Sequence, residues 1–386
     1  MSYLFVLHMF VSVYLQVCLG RTVLSLFSRF IPDANENLGF WFAGRYALGG
    51  KTDTDRQKPQ SRSGVGHPES GNFVDGQYIS RPQETSASDL SLVVLFFVGL
   101  LTYLSLLTVF LSIGLPWIVG CFLPYVLLLL QKKQSLILKE SFPSLSLNFA
   151  LWFFAHLCIG VTLFQTVSGV ETFWRNNYGD LTFHIGMISS FVYGDVFPPE
   201  YHLYAGSSLS YPFFINLWSA SLWWIAPTWK NLSLLFAFQW VVVWSSIYFL
   251  LRGNRFVFIP WALLLGGGAY FFENFGHNSG ELIDKGFPWT SFLTTVWVPQ
   301  RSAMLGIAVS LAAMSLIFVG SHDKPERTMS SRPFDLLGAG LLLGLSPLAH
   351  FHICFITGLF LSLVLVLRGA IERDLFRLRY FFLPAL

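Results

Sequence analysis

The sequence predicts an all-α polytopic membrane protein, and three observations carry that prediction. Of 386 residues, 54% are hydrophobic and only 12% are charged, where soluble domains run near a quarter charged. Phenylalanine alone occurs 40 times; a soluble fold could not hide that much apolar surface, so the solvent is the bilayer. The apolar residues are also gathered into long uncharged runs. The net charge of +3 is too small to point to nucleic acid and instead sets topology.

The elements follow in order. Residues 3–20 form an apolar stretch around His8. It lacks a basic leader and a clear small-x-small cleavage site, so it reads as an uncleaved first helix. The first 50 residues are a hydrophobic and interfacial segment, with Trp41, Phe42, Arg45 and Tyr46 suited to a membrane surface. Residues 51–89 are polar and rich in Ser, Gly, Pro and Gln; they read as a disordered loop. The polytopic domain is residues 90–386.

Leu90 to Leu130 holds no charged side chain. One span needs about 20 residues, so this run predicts two, broken at Gly114-Leu115-Pro116. Gln131-Lys132-Lys133 reads as a cytoplasmic anchor. Further spans are predicted over 145–170, 211–225, 232–251, 256–272 and 302–320. Residues 336–367 read as a helical hairpin broken near Pro347. The basic run from Arg368 to Arg379 reads as amphipathic. With Lys132 and Lys133 inside, Asp180 lies outside. The count then fails at Ser302–Gly320, which would exit on the wrong side for its basic flank. One segment is therefore miscounted or re-entrant. The chain ends in the apolar Tyr380–Leu386, which is too short to span and is expected to leave a groove for helices of a longer protein.

Cys18, Cys121, Cys158 and Cys354 all lie in apolar runs, as buried thiols do and disulfide or zinc frameworks do not. No Gly-x-Ser-x-Gly, His-Glu-x-x-His or Cys-x-x-Cys is present.

Chemistry concentrates where the chain leaves the bilayer. Asp180 and His184 are four apart, so a helix puts them on one face. A carboxylate beside an imidazole can deprotonate a hydroxyl or hold a divalent metal; alternatively Asp180 caps a helix running toward Phe191. Asp195 and Glu200 flank the non-helical Phe197-Pro198-Pro199. Together with Tyr211 these residues are expected to line one cavity. The aromatics Tyr201, Tyr204, Trp218, Trp223 and Trp224 fit either a lipid belt or a sugar or isoprenoid site. Lys285 lies in a second long loop, residues 273–300, and Arg301 stands at the mouth of the next span, where it either snorkels or grips a phosphate. His350 and His352 sit in the apolar hairpin, either capping its break or facing a cavity.

The run Gly179-Asp180-x-x-x-His184, Phe197-Pro198-Pro199-Glu200, Tyr211-Pro212, Pro299-Gln300-Arg301 and Leu345-Ser346-Pro347-Leu348-Ala349-His350-x-His352 resembles the GT-C class of membrane glycosyltransferases, the mannosyltransferase-like group. The resemblance covers residues 145–367. It implies a GT-C-like helical bundle with an extracytoplasmic loop and interfacial helices, and a polyprenyl-phosphate sugar as donor. It implies Asp180 as catalytic base, with His184 beside it. Asp195, Glu200, Tyr211, Lys285, Arg301, His350 and His352 would bind substrate. The leaving phosphate needs a cation: Arg301, Lys285, or a magnesium or manganese ion held by Asp180, His184 or Glu200. The class often carries a second acid beside the first, whereas Asp180 is flanked by Gly179 and Leu181. A polytopic transporter, with His156, Gln165, His350 and His352 as a polar path, is the competing reading. A non-catalytic membrane subunit is the third.

Overall fold

The computed structural model describes residues 2–28, 87–129, 147–163, 175–194, 196–204, 206–252, 301–322 and 333–386. Outside them fall most of the polar loop, the span expected over 256–272, the loop 273–300 with Lys285, and also Asp195 and Gln165. Among the described residues the chain is helical, and its sole pairing of extended backbone is a bridge between Glu200 and Ser208.

The helices are α1 (Ser2–Ser28), α2 (Ala87–Ser112), α3 (Trp117–Leu129), α4 (Leu147–Leu163), α5 (Arg175–Tyr193) and α6 (Phe214–Trp223). After them come α7 (Trp229–Arg252), α8 (Arg301–His322), α9 (Pro333–Gly344), α10 (Pro347–Ile371), a 3-10 turn (Leu375–Leu378) and α11 (Arg379–Ala385). Five of these, α1, α2, α7, α8 and α10, are long and apolar enough to cross a membrane. This is an all-α membrane protein.

Helix α2 is apolar on every side, and such a helix must be buried on every side. It stands at the centre, packed against α1, α3, α6, α7, α8 and α9, with Val94, Phe97, Leu100, Leu101, Leu104 and Leu107 fully enclosed. It meets α1 at bare backbone. A Cβ on Gly99 would collide with the Gln16 carbonyl oxygen, and one on Gly20 with the Leu95 carbonyl oxygen. Small residues permit this close approach between membrane helices. Gly99→Leu is expected to force the helices apart and to destabilise at the upper end of roughly 1–3 kcal/mol. A thermal melt of the purified variant checks this, and an unchanged melting temperature contradicts it.

Helix α10 is the opposite case. Phe351, Phe355, Leu359, Leu363 and Leu367 recur every four residues and are all exposed. Such an apolar stripe is suited to lipid contact.

One expectation is corrected here. The segment 211–225 does not form a span: α6 has 10 residues, all buried, and about 20 are needed to cross. The break expected near Pro347 is present at Leu345-Ser346, between the 12-residue α9 and the 25-residue α10. The terminal α11 packs against α9, the Phe381 and Pro384 carbonyls lying where Gly340 and Gly344 leave room.

Candidate functional site

Helix α5 buries Leu181, His184, Met187, Ile188 and Phe191. That is a stripe of helical period, and His184 falls within it. The helix begins at Arg175, so Asp180 lies one turn inside it rather than at its N-cap. Asp180 sits at the outer edge of the stripe and is exposed. Partial desolvation still raises its carboxyl above the ordinary aspartate range.

His184 is 1% exposed, and its Nδ1 lies 3.0 Å from Asn216 Oδ1 on α6. The Asn216 amide nitrogen donates to Met187 Sδ at 3.4 Å, which turns its oxygen toward the imidazole. On that assignment Nδ1 carries the proton and Nε2 the lone pair. Burial lowers the His184 pKa to about 3, the Arg301 charge lowers it further, the Asn216 bond opposes and His202 adds to the lowering. His184 is therefore a neutral imidazole at physiological pH, an acceptor and not a cation.

The loop from Val196 to Tyr211 folds back over α5. Tyr201 N donates to Ser207 O at 2.7 Å, and Leu209 N to Pro199 O at 3.1 Å. Phe183 anchors it, with ring centroids 5.8 Å from Tyr201, 5.0 Å from His202 and 5.0 Å from Tyr211. Tyr211 then reaches two ways. Its ring lies 6.2 Å from that of His184, and its hydroxyl lies 3.3 Å from Ser302 Oγ at the head of α8.

Beside Ser302 is Arg301, 4% exposed. Its Nη2 donates to Gln239 Oε1 on α7 and to Ser219 Oγ on α6, the latter at 3.0 Å. Its guanidinium carbon stands 3.8 Å from the centre of the Phe236 ring. Among the described residues it has no acidic partner, and Nη1 has no hydrogen-bond partner at all. An unpaired buried cation is costly. An arginine held this way is suited to a ligand that brings the negative charge.

The structure thus brings together His184, Tyr211 and Arg301. Glu200 is exposed on the folded loop, as Asp180 is on its helix, so neither carboxylate is enclosed with the imidazole as the single-cavity expectation had it. Among the described residues no three His, Cys, Asp or Glu side chains gather as metal ligands, and Asp180, His184 and Glu200 are no exception. His350 adopts extended backbone inside α10, and its Nδ1 accepts the Ile353 N–H at 3.3 Å; it caps the break beside Pro347. His352 is exposed, its ring 6.1 Å from that of His350. His156 is elsewhere, between α4 and α7, stacked 4.3 Å from Trp244 and 4.4 Å from Trp152.

Sequence reasoning missed Asn216, Ser219, Gln239 and Ser302. The signal was present. Asn216, Ser219 and Gln239 are polar side chains inside apolar runs, which is expensive in a membrane, and Ser302 adjoins Arg301 at the head of one.

The chain matches no family model, no curated protein and no solved structure.

Proposed function

We propose that this is a multi-pass membrane glycosyltransferase of GT-C type, moving a sugar from a polyprenyl-phosphate donor to an acceptor hydroxyl on the extracytoplasmic side. The observation that carries the reading is Arg301, a buried guanidinium with an unfilled donor and no acid beside it among the described residues. The arginine lies close enough to His184 for its charge to act on the imidazole. A lipid-linked donor supplies the missing anion, and its tail partitions among apolar helices while its phosphate meets the guanidinium.

The chemistry uses three side chains. The Asp180 carboxylate takes the proton of the acceptor hydroxyl as its oxygen attacks the anomeric carbon. The bond from that carbon to the phosphate oxygen breaks, and the charge gathering on the leaving phosphate is met by Arg301. The neutral His184 accepts a hydrogen bond from a substrate hydroxyl at Nε2 and so orients it. Lys285, outside the described residues, remains a further candidate for the phosphate.

The topology supports this sidedness. With residues 211–225 as a half-length buried helix, one expected crossing drops out of the count between Asp180 and α8.

The test is transfer by the purified protein from radiolabelled polyprenyl-phosphate sugars; no product with any such donor refutes the reading. The pH profile adds a second expectation. A base works only when ionised, and the Asp180 carboxyl is raised. Log kcat/KM is expected to fall on the acid side at a pH above the ordinary aspartate range of about 4. His184 is already neutral and adds no limb near pH 6–7. An acid limb that persists unchanged in Asp180→Asn contradicts these roles.

A transporter of an anionic solute is the second reading, and one observation favours it. Arg301 bonds Gln239 midway along the 24-residue α7, and transporters bind their cargo near the midplane. Solute flux into vesicles without group transfer distinguishes the two.

A further inference from the structure

We infer that Gln239 and Ser219 are positioning residues that orient Arg301 toward its anion. The inference rests on the reading of Arg301 as an anion-binding group.

A guanidinium on a long, flexible stem loses entropy when it binds, and less when its orientation is already fixed. Here three contacts fix it. Gln239 Oε1 and Ser219 Oγ both accept from Nη2, and Phe236 covers one face of the plane. The acceptors are themselves tied. Ser219 Oγ lies 2.9 Å from Gln239 Oε1 and 2.8 Å from the Ile215 carbonyl, an i,i+4 bond that holds the hydroxyl to its own helix. Helices α6 and α7 are thereby joined at the nitrogen Nη2, and among the described residues Nη1 is left unfilled.

The chemistry of the acceptors is informative. A carboxylate at either position would grip the guanidinium more strongly and cancel its charge. An amide oxygen and a hydroxyl orient it and leave the positive charge to the ligand. Gln239 Nε2 is itself a buried N–H donor without a partner among the described residues, so within them this network offers two donors and no acid. That composition fits a phosphate monoester or diester and disfavours a cation.

The experiment measures equilibrium binding of a radiolabelled polyprenyl phosphate, without sugar, to the full chain in nanodiscs. The variants are Arg301→Met, Gln239→Leu and Gln239→Glu, and a thermal melt of each checks that it is folded. Arg301→Met is expected to abolish binding. Gln239→Leu removes one of the two acceptors that hold Nη2 and is expected to raise Kd about tenfold, the size of one lost charge-assisted hydrogen bond. Gln239→Glu places a carboxylate on the guanidinium and is expected to match Arg301→Met. If the wild type binds, Arg301→Met does not, and both folded Gln239 variants bind like wild type, the positioning role is wrong while the Arg301 reading stands. If the wild type does not bind the probe, or Arg301→Met binds as well as wild type, the reading of Arg301 fails and the inference with it.

Discussion

Asp180→Asn is expected to reduce sugar transfer by roughly a hundred- to ten-thousand-fold, the usual worth of a general base. The amide keeps the shape of the carboxylate but cannot accept the acceptor's proton. Asp180 is exposed on α5, one turn from His184, and surface substitutions of this size usually change stability by less than about 0.5 kcal/mol. The fold should therefore survive. Initial rates at saturating donor, alongside a thermal melt, check both halves. An unchanged rate removes Asp180 from the mechanism and leaves it a surface acid on α5.

Arg301→Met is expected to act in the opposite sense on stability and on function. An unpaired buried charge carries an effective desolvation cost of several kcal/mol. Its removal takes a charge-assisted hydrogen bond from Gln239 Oε1 and another from Ser219 Oγ, at a cost of about 1–3 kcal/mol, while the Ser219 hydroxyl, 2.9 Å away, still reaches the Gln239 oxygen. The balance for the fold is near neutral or favourable. Transfer should nonetheless fall roughly a hundred- to thousand-fold, as when one preorganised donor to a developing anion is lost. Kinetics and melting on the same preparation separate the alternatives. A variant that transfers normally but melts early makes Arg301 a structural link between α6, α7 and α8.

The long helices were legible because length and lack of charge suffice to identify them. Residues 3–20, the run after Leu90, 232–251 and 302–320 became α1, α2, α7 and α8. The run 211–225 has a similar composition but became a 10-residue helix. Composition cannot separate a half-length buried helix from a crossing; only length does, and 15 residues fell below the span requirement. The Asp180–His184 spacing was read correctly as helical, but not the difference in exposure between the two. Exposure depends on what packs over the stripe, here α6 and the Val196–Tyr211 loop. Arg301 was legible as a charge at the head of an apolar run. Its partners Ser219 and Gln239 lie 82 and 62 residues away in sequence, and no local pattern links them. His350 was readable either as a cap beside Pro347 or as facing a cavity, and its Nδ1 accepts the Ile353 N–H as a cap does.

The central claim is that an anionic, lipid-linked donor occupies the buried site around Arg301. Photo-crosslinking tests it most directly, using a polyprenyl phosphate that carries a diazirine near the phosphate, with the labelled peptides mapped by mass spectrometry. The account predicts label on peptides holding Ser219, Phe236 to Gln239 and Arg301, competed by unlabelled polyprenyl phosphate and lost in Arg301→Met. Label confined to the lipid-facing stripe of α10, at Phe351, Phe355 and Leu359, and indifferent to Arg301, would contradict it.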